Sequence, residues 1–285
     1  MKRIPCFVLL LIMLTMPMLG RADAQYELYA FPGRVEYVSY SSGNVYTQVQ
    51  TNYPTSAPFL YTAGQGVSEV TLSRTLTAEE DYLFVLNDEF FAWTAGSTKL
   101  SALDGSEKRT IVSDQFAKKN KSATPFLLNV SDDRGVTFLM AKGESSTLCY
   151  YDLANEQFKN VAFGNNFFAF QPYVEGQCLV AETSERTGEK ELSVLDWNTC
   201  ETTIMGILPS GATSIAYDQS TGKVYYISDG DLYAYTAAEG SILVGSGFPC
   251  WTDQRAFILD SGEMVTWYID ADESLLVIDL KQFEE

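Results

Sequence analysis

The sequence predicts an all-β protein made by repeating one small hairpin unit. Three observations carry the prediction: a tight turn flanked by strand-forming residues, a leucine that returns every 40 to 48 residues, and a shortage of helix-patterned segments. The turn is Ser228-Asp229-Gly230-Asp231, between Lys223–Ile227 and Leu232–Tyr235. Asp-Gly supplies the positive φ of a two-residue hairpin. The flanking residues are β-branched or aromatic, which suits a half-buried pleated surface.

Aligned on Leu232, the residues Leu60, Leu100, Leu148, Leu192 and Leu275 fall into register, at successive spacings of 40, 48, 44, 40 and 43 residues. That period, with several strands per unit, predicts propeller blades. The first unit is expected to hold strands Val35–Tyr40, Val45–Val49, Phe59–Thr62 and Val67–Leu72. The second holds Tyr82–Leu86, Phe90–Ala95, Leu100–Leu103 and Arg109–Val112, followed by a polar connector, Ser113–Thr124. The third holds Phe126–Val130, Val136–Met140, Leu148–Tyr151 and Phe158–Val161, and the fourth Phe168–Pro172, Cys178–Ala181, Leu192–Leu195 and Thr202–Ile207. The fifth adds Ser214–Tyr217 and Ile242–Val244 around the reference hairpin. The sixth has only Arg255–Leu259, Met264–Ile269 and Leu275–Ile278. Tyr26–Ala30 is left over at the other end and is expected to complete the sixth unit, removing an open edge. The expected fold is a single β-propeller over residues 25–285, with six four-stranded blades, the last closed by the N-terminal strand.

Four of the six copies place an aspartate four residues after the leucine: Asp104, Asp152, Asp196 and Asp279; Thr236 takes the position in a fifth. A side chain that accepts hydrogen bonds from turn amides ends one strand and starts the next turn. A repeated residue is a repeated fold requirement, so these are expected to be structural.

Residues 1–24 are set apart. Lys2 and Arg3 precede the short apolar run Phe7–Met16, and Ala22-Asp23-Ala24 is an A-x-A cleavage site, the make-up of a secretory signal peptide. The mature chain is expected to be secreted or extracytoplasmic, without a membrane span, and monomeric. The full chain carries a formal charge of −18. Such a surface repels nucleic-acid phosphates and anionic lipid. The absence of histidine removes Ser-His-Asp and Cys-His nucleophiles, imidazole bases and imidazole metal sites. Catalysis would rest on carboxylates, Lys, Tyr, Arg or a bound cation.

Cys149, Cys178, Cys200 and Cys250 survive cleavage, and none forms a C-x-x-C pair. Cys178 and Cys200 share a unit and are the expected disulfide, contributing roughly 3 kcal/mol if unstrained; the alternative is four buried, unpaired thiols. The acidic turns Asp229-Gly230-Asp231, Asp270-Ala271-Asp272-Glu273, Asp132-Asp133 and Glu79-Glu80-Asp81 lack the spacing of a calcium loop. They are read as solvated turns, and no metal or cofactor is expected. Most aromatics belong between blades. Phe167, Phe168 and Trp251, near Asn, Gly and Pro, are the expected ligand-binding exceptions.

The unit Gly222–Gly240 resembles the blade of quinoprotein-like and WD-like β-propellers, and the resemblance covers Tyr26 to Leu280. Ile242-Leu243-Val244 replaces the docking tryptophan of quinoprotein blades, and the histidine of WD repeats is missing, so no quinone cofactor is implied. More loosely, the chain resembles the N-terminal propellers ahead of solute-binding modules in some Gram-positive gut bacteria. The functional expectation is an exported, non-catalytic binding or scaffold domain for a glycan, peptide or protein partner. One alternative is a carboxylate-based polysaccharide hydrolase or lyase. Another is the N-terminal propeller of a larger solute-binding or transport protein. With so many acidic residues, no catalytic pair is nominated.

Overall fold

The structure is a computed structural model that describes residues 25–283, apart from 79–80, 95–96, 122, 143–144, 164–166, 175, 251 and 269–273. The expected signal peptide, Trp251, Glu79-Glu80 and the turn 270–273 lie outside the described residues.

The chain is all-β. After β1 (Glu27–Ala30) come β2 (Arg34–Ser41), β3 (Asn44–Asn52), β4 (Thr55–Thr62) and β5 (Gly66–Glu69), with the short β6 (Leu76–Thr77) beside β4. The next group is β7 (Asp81–Leu86), β8 (Glu89–Thr94), β9 (Lys99–Ala102) and β10 (Lys108–Thr110). A helix, α1 (Asp114–Lys119), then leads to β11 (Thr124–Ser131), β12 (Gly135–Lys142), β13 (Ser145–Asp152) and β14 (Gln157–Phe163). The fourth group is β15 (Phe167–Pro172), β16 (Gln177–Thr183), β17 (Lys190–Asp196) and β18 (Glu201–Leu208). The fifth is β19 (Thr213–Asp218), β20 (Lys223–Ser228), β21 (Asp231–Thr236) and β22 (Gly240–Ser246). The last is β23 (Thr252–Ile258), β24 (Glu263–Tyr268) and β25 (Ser274–Asp279), and β1 pairs antiparallel with β25, Leu28 opposite Leu276.

The reference hairpin has the geometry its sequence demands: Asp229 and Gly230 sit at φ 53° and 83°. Ser42-Gly43 and Asn87-Asp88 repeat it, all four with positive φ. The aligned leucines occupy the third strand of each group, and Leu100, Leu148, Leu192, Leu232 and Leu275 are buried; Leu60 is only partly so. The recurring turn residue acts as expected. Oδ1 of Asp104, Asp152, Asp196 and Asp279 accepts from the amides of Ser106, Ala154, Asn198 and Lys281, and Thr236 Oγ1 accepts from Glu239. The polar connector differs from expectation by coiling into α1, which Ser113 caps by accepting from the Phe116 amide at 3.2 Å.

The first strands of the groups meet at the centre. β2 and β11 pair directly and in parallel, Leu128 beside Val38 through Ser131 beside Ser41, and β19 meets β23 at Ile215 and Arg255. These links join groups into an eight- and a nine-stranded sheet, leaving two four-stranded ones. Strand β7 stands back from the β2–β11 pair, and its inner edge is closed by buried side chains. Gln48 donates to the Asp81 carbonyl (2.8 Å) and accepts from the Leu83 amide (2.9 Å). Asn129 donates to the Leu83 carbonyl (2.8 Å), Ser39 accepts from the Val85 amide (3.0 Å), and Ser131 donates to the Val85 carbonyl (2.5 Å). Buried backbone polar groups need partners, and here side chains supply what a neighbouring strand otherwise would.

Apolar layers fill the spaces between neighbouring groups. Tyr46, Leu83 and Val85 pack in one, Phe84, Trp93 and Phe138 in another, and Val38, Tyr61, Phe257 and Trp267 bring the first and last groups together. The Tyr61 hydroxyl donates to Glu263 across that last contact (3.2 Å).

The expected Cys178–Cys200 disulfide is not formed: the four cysteines among the described residues are free, Cys149 and Cys178 buried, Cys200 and Cys250 exposed. Cys178 belongs to the central apolar cluster, whereas Cys200 sits in the turn after β17 at φ 60°. Burial holds the Cys178 thiol up at about 12 and raises Cys149 as well. Thiolate is the reactive form. A chromogenic disulfide reagent is therefore expected to titrate two thiols in the folded protein and four in denaturant; four fast thiols in the folded state would contradict the packing.

Asp81 gives a second expectation. Burial pushes its carboxyl up, but Arg74 (2.9 Å), the Thr77 amide (3.1 Å) and Thr94 (2.8 Å) hold it below the ordinary aspartate value on balance. Asp152 and Asp218 are lowered too, with burial again outweighed by their hydrogen bonds. Such groups stabilise the fold above the unfolded-state value, and that stability is lost as pH falls through the folded one. The urea midpoint is expected to fall between pH 5 and pH 2, at unchanged ionic strength.

Candidate active site at the ends of the first strands

At one end of four of the first strands, β2, β15, β19 and β23, lies a cavity of about 390 Å³, lined by residues near the ends of those strands and by the turns after β19 and β23. Its walls include Tyr40, Gln171, Tyr217, Asp218, Phe257 and Asp260.

Two aromatic pairs stand at this cavity. Tyr40 lies flat on Phe257, with ring centroids 4.7 Å apart and planes 12° apart. Tyr217 packs on Tyr173 at 4.4 Å with the rings tilted by 36°. Burial raises the Tyr40 hydroxyl to about 12, helped by the negative charges of Asp260 and Asp132, while a hydrogen bond with the Gly43 backbone pulls it partly back. Burial and Tyr173 likewise raise Tyr217 to about 12. Both phenols thus stay protonated, and able to donate, at neutral pH.

The carboxylates divide by what holds them. Asp218 Oδ1 accepts from the Ser220 amide and hydroxyl (2.8 and 2.7 Å), and Oδ2 from Thr221 (2.7 Å), so Asp218 stays ionised and fixed. Asp132 Oδ1 accepts from the amides of Arg134 and Gly135, both at 2.9 Å. The exposed Asp260 carboxylate makes no hydrogen bond to the other described residues. It faces Gly43, where an added Cβ would lie 3.0 Å from Oδ2. Gln171 holds the wall in place: its amide donates to the Ile215 carbonyl (3.0 Å) and accepts from the Tyr217 amide (2.7 Å). Among the described residues no three carboxylates or thiols converge closely enough to hold a metal ion.

Of the sequence-predicted ligand residues, only the backbone of Phe167 and Phe168 is among the described residues. Phe167 and Phe168 open β15, whose other end, Gln171-Pro172, reaches the cavity. The side chains of Phe167 and Phe168, like Trp251, lie outside the described residues. The residues that do line the cavity had a signal in the sequence. Asp218 and Asp260, like Asp132 close by in the equivalent turn, stand at or just after the end of a group's first strand, with Gly222, Gly262 or Gly135 a few residues on. Stacking the copies on their first turns would have put the three aspartates together.

No protein-family model matches the chain, and no curated protein sequence does. Similar solved structures do exist. An oligogalacturonate lyase from Vibrio parahaemolyticus covers 92% of this chain and 96% of its own, at 8% identity and a TM-score of 0.52. A gluconolactonase from Xanthomonas campestris covers 93% of each chain, at 10% identity and a TM-score of 0.59. A streptogramin B lyase covers 90% of this chain and 87% of its own, at 11% identity and a TM-score of 0.51. At such identities the likeness establishes a propeller-like all-β fold and nothing finer. It corrects one expectation all the same. The expectation is a non-catalytic binding or scaffold domain, whereas the similar structures that share the architecture include lyases and a lactonase, on the side of the enzyme alternative. No helix of the described residues is long and apolar enough to cross a membrane.

Proposed function

We propose that the protein is a carboxylate-based hydrolase acting on polysaccharide, with its reaction centre in the cavity at the ends of the first strands. The observation that carries this reading is the placing of an unengaged carboxylate, Asp260, against a raised phenol, Tyr40, beside a second, fixed carboxylate, Asp218. General acid–base chemistry needs such unlike partners. Asp260 takes a proton from water as the water oxygen bonds to the anomeric carbon. The bond from that carbon to the leaving oxygen breaks, and Tyr40 gives that oxygen its proton. Asp218, kept ionised by Ser220 and Thr221, faces the positive charge that grows on the sugar ring. The stacked pair Tyr40–Phe257 and the tilted pair Tyr173–Tyr217 offer aromatic faces for sugar rings. Elimination from a uronate needs its carboxylate neutralised by a cationic side chain or a bound cation, and among the described residues no Lys or Arg lines the cavity; hydrolysis needs no such group.

On this reading the four-stranded groups are six blades of one ring, completed by β1 on β25, and the enzyme works outside the cytoplasm after loss of residues 1–24. The test is release of reducing ends from a panel of neutral, acidic and amino polysaccharides by the purified protein. Activity on at least one of them, lost in Tyr40→Phe, is the expected result; no release from any sugar removes the proposal.

A further inference from the structure

Resting on that reading of the cavity, we infer that the sugar it takes is positively charged: an amino sugar bearing a free ammonium group, as in a glucosamine polymer. Two aspartates and two aromatic pairs, one stacked and one tilted, stand at the cavity, and among the described residues no lysine or arginine is in its walls. Arg134 is turned away towards Gly176, where its Nη1 lies 2.8 Å from the place of an added Cβ, and Lys281 runs along Gly262 at the rim. The chain as a whole is strongly acidic, at −18. An anionic polymer would bring its charges against Asp218 and Asp260, where like charges repel and salt screens the repulsion.

Three features favour a cation over a neutral sugar. Asp260 has an acceptor pair without a donor among the described residues, and an ammonium brings three donors. The faces of Tyr40 and Tyr217 carry the negative part of the ring quadrupole, which attracts an organic cation. Gln171, fixed at both ends by Ile215 and Tyr217, cannot supply charge and serves to hold Tyr217 in place. A bare metal ion fits less well. A hard cation such as calcium needs six to eight converging oxygens, and among the described residues no set of three acidic or thiol groups gathers to hold one. An ammonium head needs only a few acceptors and an aromatic face.

The experiment is calorimetric titration of the purified protein with three oligosaccharides of equal length: glucosamine oligomers, their N-acetylated counterparts and oligogalacturonate. The glucosamine oligomer is expected to bind about tenfold more tightly than the acetylated one, with a preference that shrinks as salt is added. Oligogalacturonate is expected to bind weakest. In Asp260→Asn and in Tyr217→Leu the preference should fall to about threefold or less, while circular dichroism confirms that both variants fold. Equal or tighter binding of the acetylated or the acidic oligomer overturns the inference, as does binding of none of the three. Tight binding of the glucosamine oligomer without release of reducing ends upholds the inference and removes the hydrolase reading instead.

Discussion

Gln48→Leu is expected to lower the unfolding free energy by about 3 kcal/mol, read as a shift of the urea midpoint at unchanged slope. Gln48 is 1% exposed. Its amide nitrogen lies 2.8 Å from the Asp81 carbonyl and 2.9 Å from Ser56 Oγ, and its oxygen accepts from Leu83 at 2.9 Å. Leucine keeps most of the volume and removes these bonds together with a longer one, 3.3 Å, to Glu36 Oε2. The backbone groups of Asp81 and Leu83 then remain buried without partners, and each costs about 1–3 kcal/mol. Part of that cost is relieved if water enters. Gln171→Leu breaks the analogous bridge to Ile215 and Tyr217 and is expected to act in the same direction. It should also disturb the cavity, because Tyr217 is one of its walls. A Gln48→Leu protein as stable as the parent would mean that the inner edge of β7 is closed in some other way.

Asp260→Asn is expected to cut turnover by about 10²–10⁴-fold while leaving the melting temperature within a degree or two. The large effect on rate follows from the role of proton acceptor, which an amide cannot fill. The small effect on stability follows from the exposure of Asp260 and its lack of hydrogen-bond partners among the described residues. Asp218→Asn provides the contrast. Its carboxylate accepts from Ser220 and Thr221 within the turn, so this variant should lose stability as well as rate. Tyr40, raised to about 12, keeps its proton through the neutral range, so activity should not fall at mildly alkaline pH through its ionisation. If Asp260→Asn retained parental turnover, the base would have to be another group.

Much of the architecture was legible because it is local. A two-residue turn with positive φ at both positions requires Gly, Asn or Asp, and Asp229-Gly230 shows that requirement in plain text. A third strand packed on both faces requires a large apolar residue, hence the recurring leucine, buried in five of six copies. The turn aspartates announce themselves for the same reason, since each bonds to amides two or three residues along. Helix α1 was less visible. Its six residues are too few to show a period, and only the cap at Ser113 and the lysines at its end marked it.

The disulfide went astray, and the cavity residues went unnominated, for a common reason. Cys178 and Cys200 share a unit, but sharing a unit says nothing about which way a side chain faces. Cys178 points into the central cluster, while Cys200 stays in an exposed turn. Phe167 and Phe168 were chosen by local composition, whereas the cavity is assembled from residues such as Tyr40 and Asp260, far apart in the chain. Likewise nothing within β7 indicates that Ser39, Gln48, Asn129 and Ser131 will close its edge.

The sequence by itself determined the strand-rich class, the repeated unit, its turns and the partner of the N-terminal strand, because each depends on contacts between chain neighbours or between one copy and the next. Only the tertiary structure decided which first strands pair at the centre, where the thiols lie and which aspartate is left unengaged beside a phenol. Those outcomes depend on how separate units face one another, and the spacing of residues along the chain does not encode that orientation.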